Sequence, residues 1–410
     1  MNETVRKLVD IVFRDTEQTE EVQVLYEQVL LDCQERYSDL VKDGMDEDEA
    51  IAAVVESLKG MDEILKDYPV REQPEEQMES SGEQAPEKCA LNLPADEVES
   101  IAVSVSHYDV HVLPASDEQI HLHSDSEFLR ISRNGKTIQV EEVQKEQEHG
   151  LPWFLSILNR LSMDQIPLYI EIPGGISLDY QLRTAAGDIL WEGVEAKHAS
   201  MHSESGDVWV QGRPCRIGKM DASTVSGDIR LNEKVYIGDL ICHTVSGDLL
   251  GSAQYECLEA RTVSGDIELE GNGETIRLDT LSGDIKLDGS CTSVWCKSMS
   301  GDVEVDVDTA QLTLTSTSGD IMVSGKAKEI SSKTVSGEIQ MEMLDGSQLD
   351  LLHAESRSGD ISIHLPQPGN YTVEMTSRSG DTRSKVPAPR SAEKTAQVIA
   401  KTMSGDIVVR

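Results

Sequence analysis

Residues 258–323 read LEARTVSGDIELEGNGETIRLDTLSGDIKLDGSCTSVWCKSMSGDVEVDVDTAQLTLTSTSGDIMV. Cut into blocks of eighteen, the lines superimpose on Ser-Gly-Asp, with Ser or Thr three residues before Gly265, Gly283, Gly301 and Gly319 and an aliphatic residue two after each. Apolar residues alternate with polar ones on both sides of the glycine. Period-two alternation about a glycine turn means two short strands per repeat.

The same triplet, or a near variant, extends outward in both directions. Its glycines are Gly187, Gly206, Gly227, Gly247, Gly265, Gly283, Gly301, Gly319, Gly337, Gly359, Gly380 and Gly405, and five consecutive steps are of 18 residues. Seven residues before the glycine the column is apolar (Leu258, Ile276, Val294, Leu312), and three before it every residue is Ser or Thr. One such repeat cannot bury its apolar side. Stacked coils can, each strand pairing in parallel with its counterpart in the next. The chain is therefore expected to be mostly β: a parallel β-solenoid of about twelve coils, on the order of 60 Å long, behind an N-terminal α-helical module. Each buried Val, Ile or Leu contributes ~1.5–3 kcal/mol, so the lateral core dominates any single ionic interaction.

The expected organisation is a helical module over 1–69, an acidic flexible linker over 70–89, cap strands and an insertion over 90–180, and the regular solenoid over 181–410. Three- and four-residue spacing of Val22, Leu25, Tyr26, Val29, Leu30, Cys33 and Tyr37 predicts a helix from Glu20 to Lys42 stopped by Gly44, with further helices before and after it. Residues 70–88 (VREQPEEQMESSGEQAPEK) are too polar to bury a core. Ile101–Val112 reads as a degenerate first coil, capped by strands Gln119–Ser124 and Thr137–Glu142. The apolar insertion at 151–163 (LPWFLSILNRLSM) reads as a helix covering the solenoid end, or as an interfacial helix.

Composition narrows the partners. Lys and Arg total 36 against 75 Asp and Glu, a net charge of −39, which argues against nucleic acid and leaves only weak grounds for peripheral contact with anionic lipid. No run of 18 apolar residues suggests a spanning helix. The N-terminus has no secretory h-region. Seven scattered cysteines without a C-x-x-C pair point to reduced thiols and a cytoplasmic setting, with the cell surface by unconventional export as the alternative.

The candidate functional residues lie on the repeat. The corners, Gly206-Asp207, Gly227-Asp228, Gly247-Asp248, Gly265-Asp266, Gly283-Asp284, Gly301-Asp302 and Gly319-Asp320, are read as structural: glycine for a positive φ, Asp and Ser for hydrogen bonds to turn amides. A calcium ladder along the acids is the functional alternative; otherwise no cofactor or metal is expected. The Ser/Thr column is placed inward as a structural hydroxyl ladder. Two residues before the glycine, Val225, Val245, Val263, Leu281, Met299 and Val335 form a candidate interaction stripe if they face solvent. His111, His121 and His123 fall on the outside of their strands, where solvated histidine and a surface metal site are both conceivable readings. There is no G-x-x-x-x-G-K, G-x-S-x-G or H-E-x-x-H, and no catalytic residue is nominated.

Two resemblances follow from these motifs. Tyr37–Ile51 (Y-x-D-L-x-x-x-G-M-x-x-D-E-A-I) resembles a small helical domain found before bacterial membrane permeases and beside PadR-type regulators. The S-G-D-[IV]-x-[LV] repeats, with the leading D-V-H-V-L-P-A-S-D at 109–117, resemble the bacterial "putative adhesin" β-solenoid family. That resemblance implies a right-handed parallel β-helix and an adhesin-like role, with no catalytic residues to carry over. The expected function is a non-enzymatic, adhesin-like scaffold that engages a protein partner or itself through an acidic rod and a helical recruiting module. The alternatives are a surface adhesin binding glycan or protein, and a polysaccharide-active enzyme.

Overall fold

A computed structural model describes residues 5–6, 9, 13, 19–42, 45, 50, 53–54, 89–126, 128–143, 167–232, 234–367, 369–387 and 395–410. The chain divides into two compact units. One comprises Met1–Glu87 with Gln144–Asp164, the other Lys88–Val143 with Gln165–Arg410. In the first, the helix runs Glu20–Lys42 as the apolar spacing predicts. The Thr19 hydroxyl accepts the Val22 N–H at its start, an N-cap that satisfies one of the otherwise orphaned amides of the first turn. The other expected helices, Gly44, the linker and the 151–163 insertion lie wholly or mostly outside the described residues.

The second unit is a parallel β-solenoid. Two residues after each corner, Ile267 pairs with Ile285, then Val303, Ile321, Ile339, Ile361 and Ile407. Leu258, Ile276, Val294 and Leu312 pair likewise on the strand before the corner. Strands such as Leu249–Arg261 and Ile285–Lys297 bend midway and supply both sides of a coil without interruption. The inward residues form one continuous buried cluster from Val98 to Val409. Period-two burial places every second residue inside, and the thin core needs little aromatic volume. Its largest member, Trp191, meets Tyr180 edge-on at 4.8 Å.

From Gly187 to Gly359 ten corners stack in sequence order, nine steps of about one turn each. The remaining two of the expected twelve coils do not follow in order. Strand Ala396–Ser404 lies between Leu351–Ser358 and Tyr371–Ser379, and Ile407–Val409 lies between Ile361–His364 and Thr382–Ser384. The chain thus builds its outermost rung first, then threads its last strands behind it.

The N-terminal end mirrors this arrangement. Ile101 sits between Ile138 and Tyr180, and Val110 between Leu168 and Ile189. The segment 101–112, expected as the first coil, is therefore the second. Strand Thr137–Glu142 belongs to the outer rung. The antiparallel strands Cys89–Pro94, Gln119–Ser124 and Leu129–Asn134 close the edge beyond it, which covers backbone that an open parallel rung would leave unpaired.

Candidate functional site: the corner row and its flanks

The Ser-Gly-Asp corner is a stacking device. From Gly206 to Gly319 the hydroxyl three residues before each glycine donates to the carbonyl of the preceding corner and accepts its own glycine's N–H. Thr280 donates to Gly265 O at 3.3 Å and receives Gly283 N–H at 3.1 Å. Ser298 and Ser316 do the same one and two rungs on. These hydroxyls are buried, as their inward parity predicts. Thr280→Val keeps the shape and orphans both backbone groups, so it is expected to cost about 1–3 kcal/mol, read from the urea midpoint of unfolding. A change below about 0.5 kcal/mol would contradict this role.

The aspartates form a second ladder. Each carboxylate accepts the backbone N–H of the next corner's acid: Asp284 N–H to Asp266 at 2.8 Å, Asp302 to Asp284 at 2.8 Å, Asp320 to Asp302 at 2.7 Å. The series runs from Asp109 to Glu338 and resumes from Asp360 through Asp406 to Asp381. At its start, burial raises the pKa of Asp109, while the Asp188 amide that it accepts pulls the other way. One oxygen of each ladder acid except the last of each run, Glu338 and Asp381, is thus committed to backbone. Among the described residues no group of three or more His, Cys, Asp or Glu side chains is placed to hold a metal ion.

Glycine occupies the corner for a different reason from the one expected. Of the twelve corner glycines only Gly405 has a positive φ, at 149°. A Cβ on the others would meet the preceding corner's carbonyl oxygen, at 1.9 Å for Gly283 and 2.0 Å for Gly319. The constraint is the close approach of stacked rungs, not the hand of the turn.

The stripe two residues before the glycine faces solvent. Val225, Val245, Val263, Leu281, Met299 and Val335 are 41, 44, 42, 46, 48 and 45% exposed. It crests the corner, with a different charge on each side. After the corners at Gly265, Gly283 and Gly301, the outward positions carry Asp266, Glu268, Glu270, Asp284, Asp288, Asp302, Glu304 and Asp306 against Lys286 alone. Before them, positions 257–261, 275–279 and 293–297 carry Arg261, Arg277 and Lys297 against Glu259 and Asp279. In these three rungs the acidic residues are concentrated on the side after the corner. Sequence reasoning named the corner acids but took charge over the whole chain; counting it by column would have separated the two flanks of these rungs.

The remaining candidates are structural. His121 bonds Asn92 at 2.6 Å and Asp117 at 2.8 Å, and His111 and His123 both pack on the Tyr169 ring, so the cluster ties the cap strands together. Among the described residues six cysteines are free thiols; burial pushes Cys215 up to about 11 and raises Cys242 and Cys296 further, which leaves them poor nucleophiles at neutral pH. No helix among the described residues is long and apolar enough to cross a membrane.

The sequence is similar to a known family along most of its length. The family model described as Toastrack DUF4097 matches residues 81–253 and again 250–410. The junction of the two matches falls inside strand Leu249–Arg261, where the stack continues without a cap. Among solved structures, a "putative lipid binding protein" from Parabacteroides distasonis is 15% identical, over 62% of this chain and 96% of that one, with a TM-score of 0.40. A "putative adhesin" from Parabacteroides merdae is 13% identical, over 67% and 95%, TM-score 0.38. A "putative adhesin" from Bacteroides fragilis is 11% identical, over 80% and 98%, TM-score 0.25. No curated protein matches the sequence.

Proposed function

The chain belongs to the Toastrack DUF4097 family, and on that premise we propose that it is a non-enzymatic, adhesin-like scaffold that displays a long charged surface to a protein partner, with the N-terminal helical unit as the recruiting element. One observation carries the reading: the residues that recur most faithfully, Ser/Thr, Gly and Asp, are bound to one another and to backbone. What varies from rung to rung is the outward-facing set, which over the rungs of Gly265, Gly283 and Gly301 gathers its acids on the side after the corner. A surface of this kind recognises by electrostatic complementarity over a long contact. The acidic side suits a basic partner surface. Six free cysteines among the described residues fit a reducing compartment, and we place the protein in the cytoplasm.

Affinity capture with the full chain and with a chain lacking residues 1–88 tests this reading. The truncated protein is expected to melt within a few degrees of the full chain and to lose the partner. Hydrolysis of a polysaccharide by the full chain, or unfolding of the truncated solenoid, would overturn the proposal.

A further inference from the structure

The strands Ala396–Ser404 and Ile407–Val409 are paired along both edges. Leu351–Ser358 and Ile361–His364 lie on one side, Tyr371–Ser379 and Thr382–Ser384 on the other. Val398, Ala400, Ile407 and Val409 have no exposed surface. Among the described residues the outer rung, 371–384, pairs with no other strand. Segment 396–409 is therefore a wedge between two rungs that precede it in the chain.

Those two rungs fit each other without it. Ser377 and Thr402 hold the same place, three before a corner glycine. The Ser377 hydroxyl donates to Gly405 O at 2.8 Å, and the Thr402 hydroxyl to Gly359 O at 3.1 Å. Likewise Asp381 N–H meets the Asp406 carboxylate at 2.8 Å, and Asp406 N–H meets the Asp360 carboxylate at 2.7 Å. With the segment withdrawn, 371–384 can settle on 351–364 in the same register, Ser377 bonding Gly359 O and Asp381 N–H bonding Asp360. Both ladders are then restored, one rung shorter. What is left without a place is the segment itself, whose four buried apolar side chains face water until they re-enter a slot.

We propose that the slot between 351–364 and 371–384 is a strand-exchange site, and that its second occupant is segment 396–409 of another copy of this chain, given reciprocally to form a dimer. This goes beyond the scaffold reading and does not depend on it. The occupant is defined by the fit already seen. It must bring apolar side chains at the places of Val398, Ile407 and Val409, a hydroxyl for Gly359 O, and a glycine that takes the φ of 149° found at Gly405. Every contact within the slot is remade in the exchanged dimer. The two states therefore differ by the entropy of association and by the path of the connecting residues, and concentration decides between them. Charge does not oppose the meeting. Over 371–410 seven Lys and Arg stand against four Asp and Glu, in a chain with 36 against 75. Because the segment must leave one slot to enter another, the dimer forms and parts slowly, and forms best when the chain folds at high concentration.

Refolding the full chain from urea at about 1 µM and at about 300 µM, followed by size-exclusion chromatography with light scattering at one common dilution, tests the proposal. The dilute refolding should give monomer. The concentrated one should give a dimer fraction at least tenfold larger that persists for hours after dilution. Two single variants, Ser358→Cys and Ser404→Cys, then report where the segment lies, because residues 358 and 404 are exposed and face each other in adjacent rungs, within disulfide reach. Refolded together at the high concentration under mild oxidation, they should give a disulfide-linked dimer with one chain of each, several-fold above either variant refolded alone. A chain monomeric after both refoldings overturns the proposal. So does a dimer that parts within seconds of dilution. A dimer whose mixed disulfide does not exceed the single-variant controls overturns it too, and marks outer rungs meeting edge to edge. Removing residues 1–88 leaves the slot untouched, so strand exchange and the scaffold reading fail separately.

Discussion

Gly283→Ala is expected to lower stability by about 3 kcal/mol or more, the upper end of what overpacking costs, and to reduce the melting temperature by several degrees. The new Cβ would lie 1.9 Å from the Gly265 carbonyl oxygen and 2.6 Å from its carbon, both rigid backbone. The obstruction cannot rotate away as a flexible side chain would. Relieving it means separating two rungs held by Ile267 N–H to Asp284 O at 2.9 Å and Ser282 N–H to Val263 O at 3.0 Å. The Thr280 bridge between Gly265 and Gly283 would open as well. Ser282→Ala, one residue away and exposed, is the control and should stay within about 0.5 kcal/mol. Thermal melts of the two variants side by side decide the matter. A Gly283→Ala protein as stable as the control would mean that the rungs are not stacked as closely as the corner row requires.

The sequence announced that rung in full but not the reason for its glycine. A turn glycine is ordinarily read as a demand for positive φ, and at eleven of twelve corners the backbone makes no such demand. The carbonyl that excludes a side chain belongs to a residue about eighteen positions away, and only the stack brings it near. The same separation hid the order of the end rungs. Each Ser-Gly-Asp unit states how to pair, through its inward aliphatics and its hydroxyl, but nearly identical units pair equally well with several neighbours. Chain order is then a default, and the structure departs from it at both ends. A signal existed at the C-terminal end. Around Gly380 the inward positions that elsewhere hold Ile, Val or Leu hold Thr382 and Ser384, both exposed, as suits a rung with no neighbour beyond it. Around Gly405 they hold Ile407 and Val409, both fully buried. Weighing inward polarity would have placed the Gly380 rung outermost. The exposed stripe was readable as a column, but its orientation depended on how the corner twists, which period-two alternation does not specify.

Val398→Asp and Val373→Asp should therefore differ sharply, although both residues hold the same place, seven before the corner glycine. If coils stacked in sequence order, Val398 would belong to the terminal rung and tolerate a charge, while Val373 would sit one rung deeper and not. The observed order reverses this. Val398 has no exposed surface and is flanked on one side by Leu352 and on the other by Val373, whereas Val373 is only partly buried on the last rung. A carboxylate at 398 would have neither water nor a cation, since the inward column around it is aliphatic. It should cost about 4 kcal/mol or more, enough to unfold the C-terminal rungs. At 373 the same carboxylate can turn toward solvent, and about 1–2 kcal/mol is the expected loss. Hydrogen exchange across 351–364 separates the outcomes: those amides should lose protection with Val398→Asp and keep it with Val373→Asp. The opposite ranking would restore sequential stacking and displace the last strands from between their neighbours.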